Sequence, residues 1–157
     1  MDHEIRDRFG GTVQQAIDGD CQHWHRHPQT ALALVLLLDQ FPWHIWRGKP
    51  AAYAGDQQAL ELGLLAEEKG WLQHETQRVR RQFWLMPRLH SEDLDVQTQA
   101  LPLFEQWTDP RTHAVALRHW EIIRRFGRFP HRNLALKRTS TPDEVQHLQQ
   151  KSAQSAR

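Results

Sequence analysis

Residues 28–40 read Pro-Gln-Thr-Ala-Leu-Ala-Leu-Val-Leu-Leu-Leu-Asp-Gln, and they constrain the architecture more tightly than any other part of the chain. Pro28 suits the first position of a helix, where its missing N–H costs nothing. The eight apolar residues from Ala31 to Leu38 then continue the helix without leaving a polar face. A bilayer span needs roughly 20 such residues, so this is a core helix and no membrane segment. A helix that is apolar all round must be enclosed by other elements. The rest of the chain is therefore expected to supply its covering.

That covering reads as helical throughout. Upstream, Ile5, Phe9, Val13 and Ala16-Ile17 form one stripe that stops at Gly19. The connector Cys21-Gln-His-Trp-His-Arg-His27 alternates its histidines, which fits no i, i+4 metal pair. Downstream, Asp56 is expected to cap a helix from Gln57 to Lys69 that Gly70 ends. The next helix starts near His74–Thr76 and should stop by Met86, because Pro87 disfavours a helical residue before it. Ser91 is a candidate N-cap, with Glu92 and Asp93 in the first turn, and Pro102 should kink or divide the helix that follows. Asp109-Pro110 opens another, with Ala114, Leu117, Trp120, Ile123 and Phe126 as its buried stripe and Gly127 as its stop. Thr141-Pro-Asp-Glu144 is a capping box for a last helix through Leu148.

No two-residue alternation is long enough for a strand, so the expected class is all-α, built from antiparallel helix pairs. With 157 residues the chain forms one domain, expected over residues 1–148, followed by a disordered polar tail at 149–157. Cys21 is the single cysteine, which excludes an internal disulfide and multi-cysteine zinc sites. The start, Met-Asp-His-Glu-Ile-Arg, lacks a signal-peptide pattern, so a cytoplasmic location is expected. Residues 1–75 carry six Lys/Arg against eleven Asp/Glu, and residues 76–138 carry twelve against six. The basic half either attracts anions or faces the acidic half inside the fold.

Two places resist a packing explanation. Asp39 and Gln40 end the apolar helix, where a carboxylate opposes the helix dipole and calls for a nearby cation, Arg47 being the closest in sequence. Arg125-Phe-Gly-Arg-Phe-Pro-His-Arg-Asn133 packs aromatics, arginines, a histidine and an asparagine around a helix-ending turn. Phe126 and Gly127 belong to the helix and its stop, and Arg125 and Arg128 complement the dipole. His131, Arg132 and Asn133 have no such account, and neither does His90.

Leu36-Leu-Leu-Asp-Gln-Phe-Pro42, Arg47-Gly48, Leu89-His-Ser-Glu-Asp-Leu94 and Arg125 to Asn133, in that order, resemble a bacterial and fungal family, number 924 in the domain-of-unknown-function series. The resemblance runs from about Ile5 to about Leu148 and implies a tetratricopeptide-like helical fold. The family usually has Arg and Asn where this chain has Trp43 and His44, and usually begins with a further stretch rich in Trp and Phe. A homo-oligomer or partner subunit covering that region is therefore expected, and the seven tryptophans suit an interface.

The family's motifs map onto Asp39, Gln40, Arg47, His90, Glu92, Asp93, His131, Arg132 and Asn133. Four arrangements follow. In a structural knot, Asp39, Glu92 and Asp93 neutralise Arg128 and Arg132. In a binding cleft, Asp39, Gln40, Arg47, Arg128, Arg132 and Asn133 receive a small anionic or peptide-like ligand between Phe41, Trp43 and Phe129. In an enzyme of hydrolase or metal-dependent type, His90 or His131 acts with Glu92 or Asp93, the histidine as base and the carboxylate orienting it in the hydrolase form. In the fourth, the seven basic residues of 118–138 contact RNA. No cofactor and no metal is expected.

Overall fold

A computed structural model describes the backbone of residues 2–155 and the side chains of residues 2–150. Helix α1 (Asp2–Asp18) precedes the apolar helix α2 (Pro28–Val35), which buries Ala31, Leu32, Leu34 and Val35. The chain does not end its helix at Gln40 as expected. It widens into a π turn, Leu36–Gln40, and continues as α3 (Phe41–Ile45), with the Phe41 amide donating to the Leu36 carbonyl. Pro42 cannot donate back to Leu38, and the widened turn lets the helix pass this missing bond. The Leu38 backbone meets Gly55, where a Cβ would lie 2.3 Å from the Leu38 carbonyl oxygen. Only glycine leaves room there. The end of α3 is held to α1 by Arg6, which donates to the Ile45 carbonyl at 2.7 Å.

The remaining helices are α4 (Asp56–Glu68), the single turn α5 (Trp71–His74), α6 (Arg78–His90), α7 (Leu94–Trp107), α8 (Pro110–Phe126) and α9 (Pro142–Ser155). Short turns make α6, α7 and α8 successive antiparallel neighbours, while α4 and α6 pack beside α2. No strand occurs among the described residues, so the protein is all-α. The core contains Trp84, Phe104 and Phe129, each fully buried, together with the apolar face of α2. Trp24, Trp46, Trp71 and Trp107 pack against it, so most tryptophans already have an internal use.

Several helix boundaries differ from the sequence-based expectation. Helix α6 runs through Pro87 to His90. The proline costs roughly 3 kcal/mol in a helix interior. Burial of Trp84, Leu85 and Leu89 offsets it, at roughly 1.5 to 3 kcal/mol for each large apolar side chain. Helix α7 likewise passes Pro102 undivided. The buried positions of α8 are Ala116 and Ile123, and Leu117 is 39% exposed, so its inward face is rotated from the predicted stripe.

The predicted caps at both ends of α8 hold. Asp109 accepts from the amides of Arg111 and Thr112, and Gly127 closes the helix at φ 69°, a left-handed conformation that favours glycine. The capping box at Thr141 and Glu144 also forms, each side chain accepting from the other's amide. Helix α9 then continues past Leu148 to Ser155, so the tail expected to be disordered is helical that far. Residues 156 and 157 lie outside the described span.

Candidate functional site

The π turn sets the position of Asp39. Its extra residue turns the carboxylate inward, and Asp39 is 1% exposed despite its charge. Gln40 donates to one of its oxygens. His90, at the last turn of α6, donates from Nδ1 to the other at 2.6 Å. The cation expected beside Asp39 is therefore His90 and not Arg47. Arg47 is exposed and pairs with Asp2 at 3.1 Å, so it lies outside the cluster.

Burial opposes the charged form of His90. The Asp39 carboxylate, through its charge and its hydrogen bond, and Asp56 more weakly, outweigh burial and raise the His90 pKa above its ordinary value. Asp56 is itself raised, because burial outweighs the neighbouring Arg132. It does not cap α4 as expected. The charge is drawn instead to Arg132, whose Nη1 donates to it at 2.7 Å.

Arg132 is 6% exposed, and its guanidinium lies between the rings of Tyr53 and Phe129, at 4.5 and 4.9 Å from their centroids. Its Nη2 donates to the backbone carbonyl of His90 at 2.9 Å. One side chain thus ties α4 to the residue that carries the imidazole. Stacking and forked donation together are what Arg provides and Lys cannot.

These groups line a cleft of about 480 Å³ formed by Asp39, Gln40, Trp43, His44, His90, His119, Phe129, His131 and Arg132. Four histidines and two large aromatics face one space. His119 donates from Nδ1 to the Leu89 carbonyl oxygen at 3.1 Å, which fixes its tautomer. Its ring is 5.2 Å from that of Phe129, and His131 lies 5.5 Å from Phe129 and 6.3 Å from Trp43. A second cleft of about 310 Å³, which includes Tyr53, Asp56 and Glu92, shares His90 and Arg132 as its wall.

The other predicted site residues go elsewhere. Glu92 accepts from the Phe129 amide at 2.7 Å and from both ends of the Arg138 guanidinium, contacts that overcome burial and lower its pKa. Asp93 is the N-cap of α7, accepting from the Asp95 and Val96 amides, and Ser91 is not the cap. Neither carboxylate orients His90; that role belongs to Asp39.

Arg128 donates twice to Glu144, at 2.7 and 2.9 Å, and Asn133 is buried between Glu144, Ser140 and Arg138. Arg128 and Asn133 thus tie the turn to α9, and neither lines the cleft. The knot exists, with different partners from those expected. His44, His119, Tyr53, Asp56, Arg138 and Glu144 were not singled out for the site by sequence reasoning. For His119 a signal was present, since it falls between Ala116 and Ile123 on the inward face of α8.

The internal pairs also account for much of the charge asymmetry. Arg132–Asp56, Arg88–Glu67 and His90–Asp39 each join the basic half to the acidic half. Within 118–138, Arg128, Arg132 and Arg138 are engaged internally, while Arg124 and Arg125 lie over Trp120 and Phe126. Arg124 and Arg125 stay exposed, as do Arg118 and Lys137, so four of the segment's seven Lys/Arg still face solvent. Among the described residues no group of three or more His, Cys, Asp and Glu could hold a metal ion. Among them, too, no helix is long and apolar enough to cross a membrane.

Fold and cleft together define an all-α protein whose buried ion pairs frame a histidine-lined cavity. The chain belongs to the family described as bacterial protein of unknown function (DUF924), which matches residues 1–152. It is similar to the solved structure of a protein of unknown function from Agrobacterium tumefaciens, at 36% identity over 95% of this chain and 84% of that one, with a TM-score of 0.88. No curated protein matches the chain.

Proposed function

We propose that the protein binds a small ligand carrying an anionic group and a flat or apolar body in the cleft between Trp43, His90, Phe129 and His131. The observation that carries this reading is the pairing of His90 with the fully buried Asp39 at the wall of an aromatic cleft. Asp39 stabilises the imidazolium, and an imidazolium N–H offered in a partly dehydrated cleft suits a carboxylate or phosphate oxygen. Trp43, 40% exposed at the mouth, supplies a stacking face at little entropic cost. Such a mixture of apolar wall and a few oriented polar groups is the usual make-up of a small-molecule site.

N-acetyl-L-phenylalanine, which combines a carboxylate, an amide and a ring, is a suitable probe. Its affinity, followed by NMR of the cleft histidines, is expected to rise as pH falls through the His90 titration and to be lost in His90→Gln and weakened in Trp43→Ala. Equal binding by wild type and His90→Gln would overturn the reading. We further propose a tetratricopeptide-like pairing of the helices and a cytoplasmic, self-associating protein; a monodisperse monomer at high dilution in a sizing experiment would overturn self-association.

A further inference from the structure

The geometry points to a reaction as well as to binding: we propose that Asp39 and His90 activate a water molecule for hydrolysis of a small ester or amide held in the cleft. This inference rests on the cleft-binding reading above. In an imidazole the two nitrogens lie on opposite sides of the ring, so with Nδ1 fixed on Asp39 the tautomer is set and Nε2 is left as the basic atom. The backbone of His90 is fixed independently by Arg132. A base held both by its side chain and by its main chain is preorganised for proton transfer.

The cleft lining contains no Ser, Thr or Cys to act as a hydroxyl or thiol nucleophile, and the proposed attacking group is water. In the first step Nε2 takes a proton from the water as its oxygen bonds to the carbonyl carbon, giving a tetrahedral oxyanion and an imidazolium paired with Asp39. The oxyanion forms in a space bounded also by His131 and Arg132. In the second step the carbonyl re-forms and the bond to the leaving oxygen or nitrogen breaks. The imidazolium returns its proton to that leaving group, so one water is consumed and an acid and an alcohol or amine are released. Neutral His90 is regenerated.

The charged and titratable groups around His90 are Asp39 on the π turn, Asp56 on α4, Arg132 on the turn after α8 and His119 on α8. Burial opposes the charged form, but Asp39 outweighs it and raises the His90 pKa, so the base form appears at higher pH than in an ordinary histidine. A surface histidine has no reason to share that limb. This gives the proposal a signature that background hydrolysis lacks.

The test measures release of p-nitrophenolate from p-nitrophenyl acetate across pH, with N-acetyl-L-phenylalanine as competitor. The expected rate rises along one limb whose midpoint coincides with the His90 titration seen by NMR. His90→Gln should fall to background, a loss of about a hundredfold or more for a positioned base, while His25→Gln leaves the rate unchanged. Asp39→Asn should lower both the rate and the midpoint.

A rate in His90→Gln equal to wild type, or a kinetic midpoint that departs from the His90 titration in the unmodified protein, overturns the proposal. The second measurement needs no variant, so a misfolded mutant cannot shelter the idea. If N-acetyl-L-phenylalanine binds through His90 and hydrolysis stays at background, the reaction is refuted and the binding reading stands. If hydrolysis depends on His90 but the competitor neither binds nor inhibits, the reaction stands and the proposed ligand class falls.

Discussion

Replacing Glu144 by Gln tests the knot at its most heavily used carboxylate. Glu144 is 2% exposed and accepts two hydrogen bonds from Arg128, one from Asn133 and one from its own cap residue, Thr141. The Arg128 hydrogen bond, with the Thr141 amide, the Arg128 charge and Asn133, overrides burial and holds its pKa at about 2 instead of 4.5. At about 1.4 kcal/mol per unit, that difference corresponds to roughly 3 kcal/mol of stability. Breaking a buried pair by removing one partner costs a similar amount, roughly 3 to 5 kcal/mol.

The folded pKa is depressed, so the contribution is complete above the unfolded value of 4.5 and disappears as pH falls towards 2. Urea denaturation at pH 7 should therefore place Glu144→Gln about 3 kcal/mol below wild type, equivalent to a melting point lower by about 9 °C for a chain of this size. The two proteins should converge near pH 2 to 3. A gap under about 0.5 kcal/mol at neutral pH, within the range of ordinary surface substitutions, would refute the reasoning, as would a gap that does not change with pH.

Three further outcomes follow from the same geometry. Gly55→Ala forces a methyl to within 2.3 Å of the Leu38 carbonyl oxygen, so it should cost at least the roughly 1 to 3 kcal/mol of overpacking, read by thermal denaturation, and should disturb the adjacent π turn. Arg132→Lys keeps the charge but loses the stack on Tyr53 and Phe129 and one of two donations; loss of about 2 kcal/mol in urea unfolding, with a displaced His90 imidazole resonance by NMR, is expected. In Asp39→Asn the His90 titration should move to lower pH. A raised folded pKa stabilises fully below the unfolded value of 6.5 and is lost as pH rises through the folded pKa, so wild type should lose stability as pH rises from 6.5 through the His90 titration and Asp39→Asn should lose less.

Three local signals survive in the structure, while the cap expected at Asp56, the cap at Ser91 and the stop before Pro87 do not. Asp109-Pro110, Gly127 and the Thr141–Glu144 box each place their signal within four residues of what they cap, and each is found where its chemistry requires. The π turn escaped because residues 31–38 are apolar on every side, so the sequence has no polar phase from which a change of helical pitch could be read. The one trace of it is Pro42, whose missing N–H removes a helical hydrogen bond at this point. Ionic partners escaped for a different reason. Arg132 and Asp56 are 76 residues apart, His90 and Asp39 are 51 apart, and Glu92 and Arg138 are 46 apart. A local reading assigned Asp56 to a cap and Asp39 to Arg47, the nearest available uses, when longer-range partners were the better ones.

The stretch from Arg125 to Asn133 is both scaffold and site, and the division follows residue by residue. Arg128 and Asn133 reach α9 through Glu144, the Phe129 amide is held by Glu92, and Arg132 spans to α4, while His131 and the Phe129 ring face the cleft. The cleft wall is thus a short turn with no regular hydrogen-bond ladder of its own beyond one 3₁₀ turn, Pro130–Arg132. Its geometry depends on ion pairs to α9 and α4 and on the hydrogen bond from the Phe129 amide to Glu92. A residue such as Glu144, which does not line the cleft, consequently controls the position of two that do. Weakening it at a pH where the fold survives should loosen ligand binding before it unfolds the protein, because the turn can open locally at less cost than the whole domain.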